Sequence, residues 1–189
     1  MGTAAIPTCW RTAVGASWTG RTRLGASGAP RALTYIRRGE SFCYLAVVLD
    51  LYSRKLVGWD LSRSLDGGGA LRALEQALKA RTPPAGWIHH SDRGVQYACH
   101  QYVQCLQAAG ARISMCATGE PKENAVVERV FRTIKEEEVD LQEYENFEEA
   151  ELSLGEFIED VYNRKRLHSA LGYRPPTEFE ELFATSLSG

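Results

Sequence analysis

Three runs rich in Val, Leu, Ile and Tyr lie close together in the chain: Leu33 to Arg38, Phe42 to Leu49 and Lys55 to Ser62. Arg38-Gly39-Glu40 and Asp50 to Arg54 read as the turns that join them. Strands joined by connections this short pair antiparallel, because a parallel pair needs a crossover of a dozen or more residues. The first ordered part of the chain must therefore be a meander. The later chain alternates between helix and strand. Ala70 to Ala80 has helical spacing with Leu71, Leu74 and Leu78 on one face, Trp87-Ile88-His89-His90 reads as a short strand, and Tyr97 to Ala109 as a helix. Ala111 to Met115 is a further strand, and Lys122 to Glu138 a helix with Val127, Val130, Phe131 and Ile134 at i, i+3, i+4, i+7 spacing. Helical crossovers make the later strands parallel. The expected fold class is α/β: three antiparallel strands, then parallel strands, in one mixed sheet flanked by helices. Leu152 to Tyr162 supplies a last amphipathic helix through Leu154, Phe157, Ile158 and Val161, and Pro175-Pro176 is expected to stop regular structure. With 189 residues, 44% of them apolar, the chain has enough material for one core. No apolar run approaches the length of a membrane span.

Two carboxylates stand in contexts that suit phosphoryl chemistry. Ser91-Asp92-Arg93-Gly94 breaks the short strand with turn residues, so Asp92 is expected at a strand's C-terminal end, where open α/β sheets place ligands. On the Lys122 to Glu138 helix, Glu128, Arg132 and Lys135 form a polar stripe beside the apolar one. Taken alone, an acid four residues before a base is usually a solvated helix pair worth a few tenths of a kcal/mol. Other features read more plainly. Asp66-Gly67-Gly68-Gly69 lacks the Lys-Ser/Thr of a phosphate loop and reads as a helix lead-in. Arg164-Lys165-Arg166 reads first as a solvated helix end. Five cysteines with no Cys-x-x-Cys point to free thiols rather than zinc or a disulfide framework. His89 and His90 alternate on a strand, so one is expected to point inward and the other toward solvent.

Context decides between these readings of the acids. His89-His-Ser-Asp-Arg-Gly-Val-Gln-Tyr97 is followed, after 35 residues (93 to 127), by Glu128 within Glu123-Asn-Ala-Val-Val-Glu-Arg-Val-Phe131. Around these stand Leu33-Thr-Tyr-Ile36, the run Tyr44 to Trp59, Ser114-Met115, Tyr162-Asn163, and Arg166-Leu-His-Ser-Ala-Leu-Gly-Tyr173 with Pro176 and Phe179-Glu180 after it. From about Leu33 to Phe179 the chain resembles the integrase core of insertion-sequence transposases, the DDE branch related to retroviral integrases. The resemblance implies a ribonuclease-H-like fold, two divalent metals (Mg²⁺ or Mn²⁺) held by three acids, and metal-dependent cleavage and strand transfer of DNA ends. Two such metals roughly 3.5–4 Å apart act on both sides of the phosphorus, and hard cations of this kind keep several waters, so few side chains are needed. Asp92 and Glu128 match the second and third acids of the family. The first acid precedes the Thr-Tyr-Ile strand, and Ala32 stands there, so the metal site is expected to be incomplete and this copy impaired. Asp50, 17 residues on from Leu33, matches a family aspartate that is not catalytic. Lys122, Asn124, Arg132 and Lys135 are the candidates for contact with DNA, with helix capping and solvation as the plain alternative for Lys122 and Asn124.

Residues 1–31 differ from the rest: they contain no acid and no lysine, and show neither strand nor helix period. A flexible basic arm on DNA phosphates is the bland reading, and the lack of an apolar stretch argues against a secretory signal. The favoured hypothesis is out-of-frame translation of GC-rich DNA, which would account for Ala32 as well; translating the upstream DNA in all three frames separates these readings. The expected organisation is an irregular or disordered leader over 1–31, a catalytic core over 32–180, and a flexible end over 181–189. Expected partners are element-end and target DNA, other copies of the chain in a multimer on DNA, and a separate helix-turn-helix protein or domain, since no such pattern precedes Leu33. A cytoplasmic, nucleoid-associated location is expected, without a membrane. The formal net charge of −2 is unevenly spread: residues 1–39 carry six arginines and no acid, residues 136–160 twelve acids and no base. Two alternatives remain: a catalytically dead DNA-binding remnant, and a hydrolase using Asp92 and Glu128 as an acid/base pair.

Overall fold

Everything in the sheet is arranged about β3 (Ser41–Asp50), the longest strand of a computed structural model that describes residues 23–26, 34–38, 41–64, 67–91, 99–115 and 125–186. One edge of β3 pairs antiparallel with β4 (Leu56–Ser62), as the short turn between them requires. The other edge carries two strands end to end. β2 (Thr34–Arg38) pairs antiparallel with the first half of β3, Thr34 opposite Leu45 and Arg38 opposite Ser41. β1 (Arg23–Ala26) pairs antiparallel with its last residues, Leu24 opposite Asp50 and Ala26 opposite Val48. β1 also pairs parallel with β5 (Ile88–Ser91), and β5 parallel with β6 (Arg112–Met115), giving one mixed sheet of six strands among the described residues.

The mixed sheet flanked by helices matches the expected α/β class, and β1 stands ahead of the three strands expected to begin at Leu33, within the segment expected to be an irregular leader. Arg-Leu-Gly-Ala has neither the β-branched content nor the alternation of a strand. It is recruited by position, since β3 and β5 present backbone N–H and C=O groups that need partners in the middle of the sheet. Partner numbers sum to 79 along β2 and to 74 along β1. Five residues are thus gained between two strands that share one edge.

Because both faces of β3 are covered, its side chains feed two cores alternately. Cys43, Leu45, Val47 and Leu49 face a layer formed by α3 (Ala125–Glu137), α4 (Phe147–Glu156) and the π-helical turn Phe157–Tyr162. Ala46 and Val48 face α1 (Gly67–Arg81) and α2 (His100–Ala108). The buried stripe of α1 is Ala70, Ala73, Leu74 and Ala77, with Leu71 and Leu78 only partly covered. Small residues are required because α1 lies directly on β4: a Cβ on Gly58 would overlap the Ala73 carbonyl oxygen and approach the Ala77 nitrogen to 2.9 Å.

The last helical region begins earlier than apolar spacing alone predicts. Asn146 caps α4 by accepting from the Glu149 N–H at 2.8 Å, and Phe147 and Ala150 are buried with Leu154, Phe157 and Ile158. Asn146 three residues before Glu149 is the signal that marks this start. Pro175-Pro176 does not end regular structure: α5 (Pro176–Ser186) begins on Pro176. Proline suits the first helical position, where its missing N–H has no partner to lose. α5 also crosses residues 181–186 of the segment expected to be a flexible end.

Candidate functional site

β5 leads to the site. Its four residues are all buried, because β1 and β6 flank it and helices cover it. The expectation that one of the two histidines faces solvent is therefore wrong: His89 and His90 are both buried. His90 Nδ1 lies 3.1 Å from Ser114 Oγ on β6. His89 sits between Trp87 and Tyr102, with the Tyr102 hydroxyl 3.2 Å from its Nε2 and its buried Nδ1 without a partner among the described residues. Burial, reinforced by His90, lowers its pKa to about 3, so the ring is neutral and belongs to the core. β5 ends at Ser91, the residue immediately before Asp92. Asp92 itself, like Ala32, Lys122 and Asn124, lies outside the described residues.

Glu128 stands in the first turn of α3 and is half-buried. The helix is held by its apolar face, where Val127, Val130, Phe131 and Ile134 are at most 4% exposed, as their spacing predicts. That leaves Glu128, exposed Arg132 and half-buried Lys135 along one polar stripe. An acid near a helix N-terminus is favoured by the dipole, and the two cations extend positive charge along the same stripe. Among the described residues no group of three or more His, Cys, Asp or Glu side chains is placed to hold a metal ion.

The residues set aside in the sequence prove structural. Asp50 is 5% exposed and accepts from the Tyr52 N–H at 2.9 Å. Arg81 Nε lies 3.5 Å from its other oxygen, and Arg81 also binds Glu180 of α5, which Lys55 reaches at 3.2 Å. Burial raises the Asp50 pKa against the opposing pull of Arg81. Asp50 is thus the inner end of a clamp joining β3, α1 and α5. The glycine run is a packing device, since a Cβ on Gly69 would collide with Ser62 Oγ and Asp60, the groups that Arg72 binds. Asn163, 1% exposed, was not singled out by residue chemistry. Its amide exchanges two hydrogen bonds with the Leu56 backbone, accepting at 2.9 Å and donating at 3.0 Å, which fixes the π-helical turn to the start of β4. Its signal was the Tyr162-Asn163 pair among the landmarks.

Known proteins share both sequence and fold with this chain. Two models, each described as an integrase core domain, match residues 33–121 and 109–176. The transposase for insertion sequence element IS904 of Lactococcus lactis is 38% identical over 149 residues, covering 79% of this chain and 59% of that protein. The transposase for insertion sequence element IS629 of Shigella sonnei is 37% identical over 154 residues, covering 82% of this chain and 51% of that one. The chain thus spans between about half and three fifths of the length of these relatives. Among solved structures, the simian T-cell lymphotropic virus intasome in complex with PP2A regulatory subunit B56 gamma is similar with a TM-score of 0.65 at 13% identity, covering 84% of this chain and 54% of that one. The HTLV-2 integrase catalytic core domain in complex with magnesium, in its trimeric form, gives 0.60 at 12% identity, covering 84% and 95%. The fold is therefore that of the retroviral integrase catalytic cores. No described helix is long and apolar enough to cross a membrane.

Proposed function

The chain belongs to the integrase core domain family, and from that premise we propose that it is the DNA-cutting and DNA-joining core of an insertion-sequence transposase, a DDE-type polynucleotidyl transferase impaired at its first acid. The observation that carries the reading is Glu128, set in the first turn of a helix whose apolar face is locked into the core. Asp92, directly after the last residue of β5, is its partner acid in this reading. Asp92 and Glu128 would hold Mg²⁺ or Mn²⁺. Such cations, when bound, activate an attacking water or DNA 3′-hydroxyl and stabilise the leaving oxygen.

The donor set suits one hard cation that keeps its waters, and does not suit a bridged pair. A bridge needs a third carboxylate, and Ala32 stands at the matching position. The strand beside β5 supplies no substitute, for β1 reads Arg-Leu-Gly-Ala. The same observation favours the second reading, a DNA-binding remnant without strand-transfer activity. Arg132 and Lys135, with Lys122 and Asn124, are the side chains assigned to DNA phosphates in either reading. The substrates are element ends and target DNA in the cytoplasm, handled by a homo-multimer, with end recognition by a helix-turn-helix protein or domain. The intasome and trimeric integrase core among the structural neighbours support the multimer.

Calorimetric titration with Mn²⁺ tests the ligand argument. Ala32→Asp is expected to bind about tenfold more tightly than the unaltered chain, and Ala32→Ser no better than it. Equal affinity in both variants would remove the missing acid as the cause of impairment.

A further inference from the structure

A second, cationic site lies on a different flank of α3. With about 100° of rotation per residue, Arg129 and Thr133 stand about a third of the way round the helix from the Glu128 stripe. This flank forms one wall of a cleft of about 310 Å³, and the segment Arg166–Ala170 with Arg54 forms the other. Val126, Val130 and Tyr162 make its apolar lining, and among the described residues no acidic one lines it. Among the described residues, neither Arg54 nor Arg129 has a carboxylate in ion-pair range. Arg166 is oriented by Glu137, which stands outside the lining.

Three further features mark the cleft as a built site. Arg54 is half-buried in a left-handed backbone conformation, φ 60°, that non-glycine residues seldom adopt and that tends to persist where function requires it. His168 lines the cleft with its Nε2 buried and, among the described residues, without a partner. Its ring is kept neutral at neutral pH because burial, then Arg166 and Arg54, lower its pKa to about 4. Its backbone is anchored as well, since the His168 carbonyl accepts from the Leu171 and Tyr173 N–H groups at 2.9 Å. Guanidinium groups converging on one cleft, two of them with no described ion pair and the third held by Glu137, are arranged for a phosphate-like anion.

We propose that this cleft binds phosphodiester groups of a DNA strand, holding the backbone at a distance from the Glu128 face. The assignment rests on the reading of the chain as a DNA-acting core, and it adds Arg54, Arg129 and Arg166 as phosphate contacts and His168 as a neutral hydrogen-bonding group. All four belong to sequence landmarks, yet residue chemistry alone does not single them out, because they converge from a turn, a helix and a loop.

The test is duplex binding by fluorescence anisotropy across a salt series in EDTA, so that no metal site contributes. Arg129→Gln and Arg54→Gln are expected each to weaken binding several-fold and to reduce the slope of log affinity against log salt by about one. Arg63→Gln, an exposed arginine outside the cleft paired with Glu148, should leave the slope unchanged. Arg129 is itself exposed, so Arg129→Gln keeps the fold even if Arg54→Gln disturbs its turn. DNA titration should also shift the His168 ring resonances. Unchanged slopes in both cleft variants, with DNA still bound, would overturn the cleft while leaving the DNA reading intact. Failure of the unaltered chain to bind DNA at low salt would overturn both. Inorganic phosphate at millimolar concentration shifting His168 as strongly as DNA does, and displacing it, would overturn the assignment to a strand.

Discussion

Two segments share one edge of β3 and reach it by different routes. β2 arrives through a tight turn, with the aromatic and β-branched content of a strand. β1 arrives from a segment with no strand signal and fills the gap between β3 and β5. Local pairing is written in residue types and turn lengths, whereas a central slot can be filled by whatever backbone is within reach. Ala32, at the position proposed for the first acid, lies between the two in sequence.

If β3 is the common frame, damage to it should exceed any change in either neighbour. Leu45→Ala, at a fully buried position opposite Thr34, is expected to cost about 3 kcal/mol in urea unfolding. A loss below about 1 kcal/mol would mean that the edge strands, and not β3, hold the sheet.

On the β1 side the comparison can be sharpened with pH, because Leu24 is paired with His89. The folded-state pKa of His89, about 3, lies below its ordinary value of 6.5. The unfolded chain therefore binds the extra proton between these values, and the stability held above pH 6.5 is lost as pH falls toward 3, by up to about 1.4 kcal/mol per pH unit. His89→Phe should flatten that part of the stability profile. The half-buried His168 acts in the same direction over a narrower range.

A smaller effect bears on the register. Deleting residues 27–31 would bring the partner sums of β1 and β2 to the same value, 79, and make one continuous strand with residue 32 directly after Ala26. Combined with Ala32→Asp, the deletion is expected to bind Mn²⁺ about tenfold more tightly than Ala32→Asp alone, or about 1.4 kcal/mol. No gain in a folded variant would show that β1 does not occupy the slot meant for the acid.

Residue periodicity made most of the architecture legible. The meander, the crossover helices and the buried face of α3 follow from apolar spacing, and Val127, Val130, Phe131 and Ile134 are covered as that spacing requires. The features that escaped had other causes. β1 depends on partners far away in sequence, α5 begins on a proline that reads equally well as a stop, and the alanine stripe of α1 is dictated by its approach to Gly58. The polar stripe of Glu128, Arg132 and Lys135 was legible because one helix carries it. Asn163 and the arginine cleft were not, because their meaning lies in contacts between distant elements.

The most direct test of the central claim is a strand-transfer assay with Mg²⁺, using oligonucleotides that carry the ends of the encoding element, on the unaltered chain and on Glu128→Gln. Joined product from the unaltered chain is predicted to be no greater than the Glu128→Gln background. Mg²⁺-dependent joining that Glu128→Gln abolishes would contradict the claim, because Ala32 would then be no obstacle to catalysis.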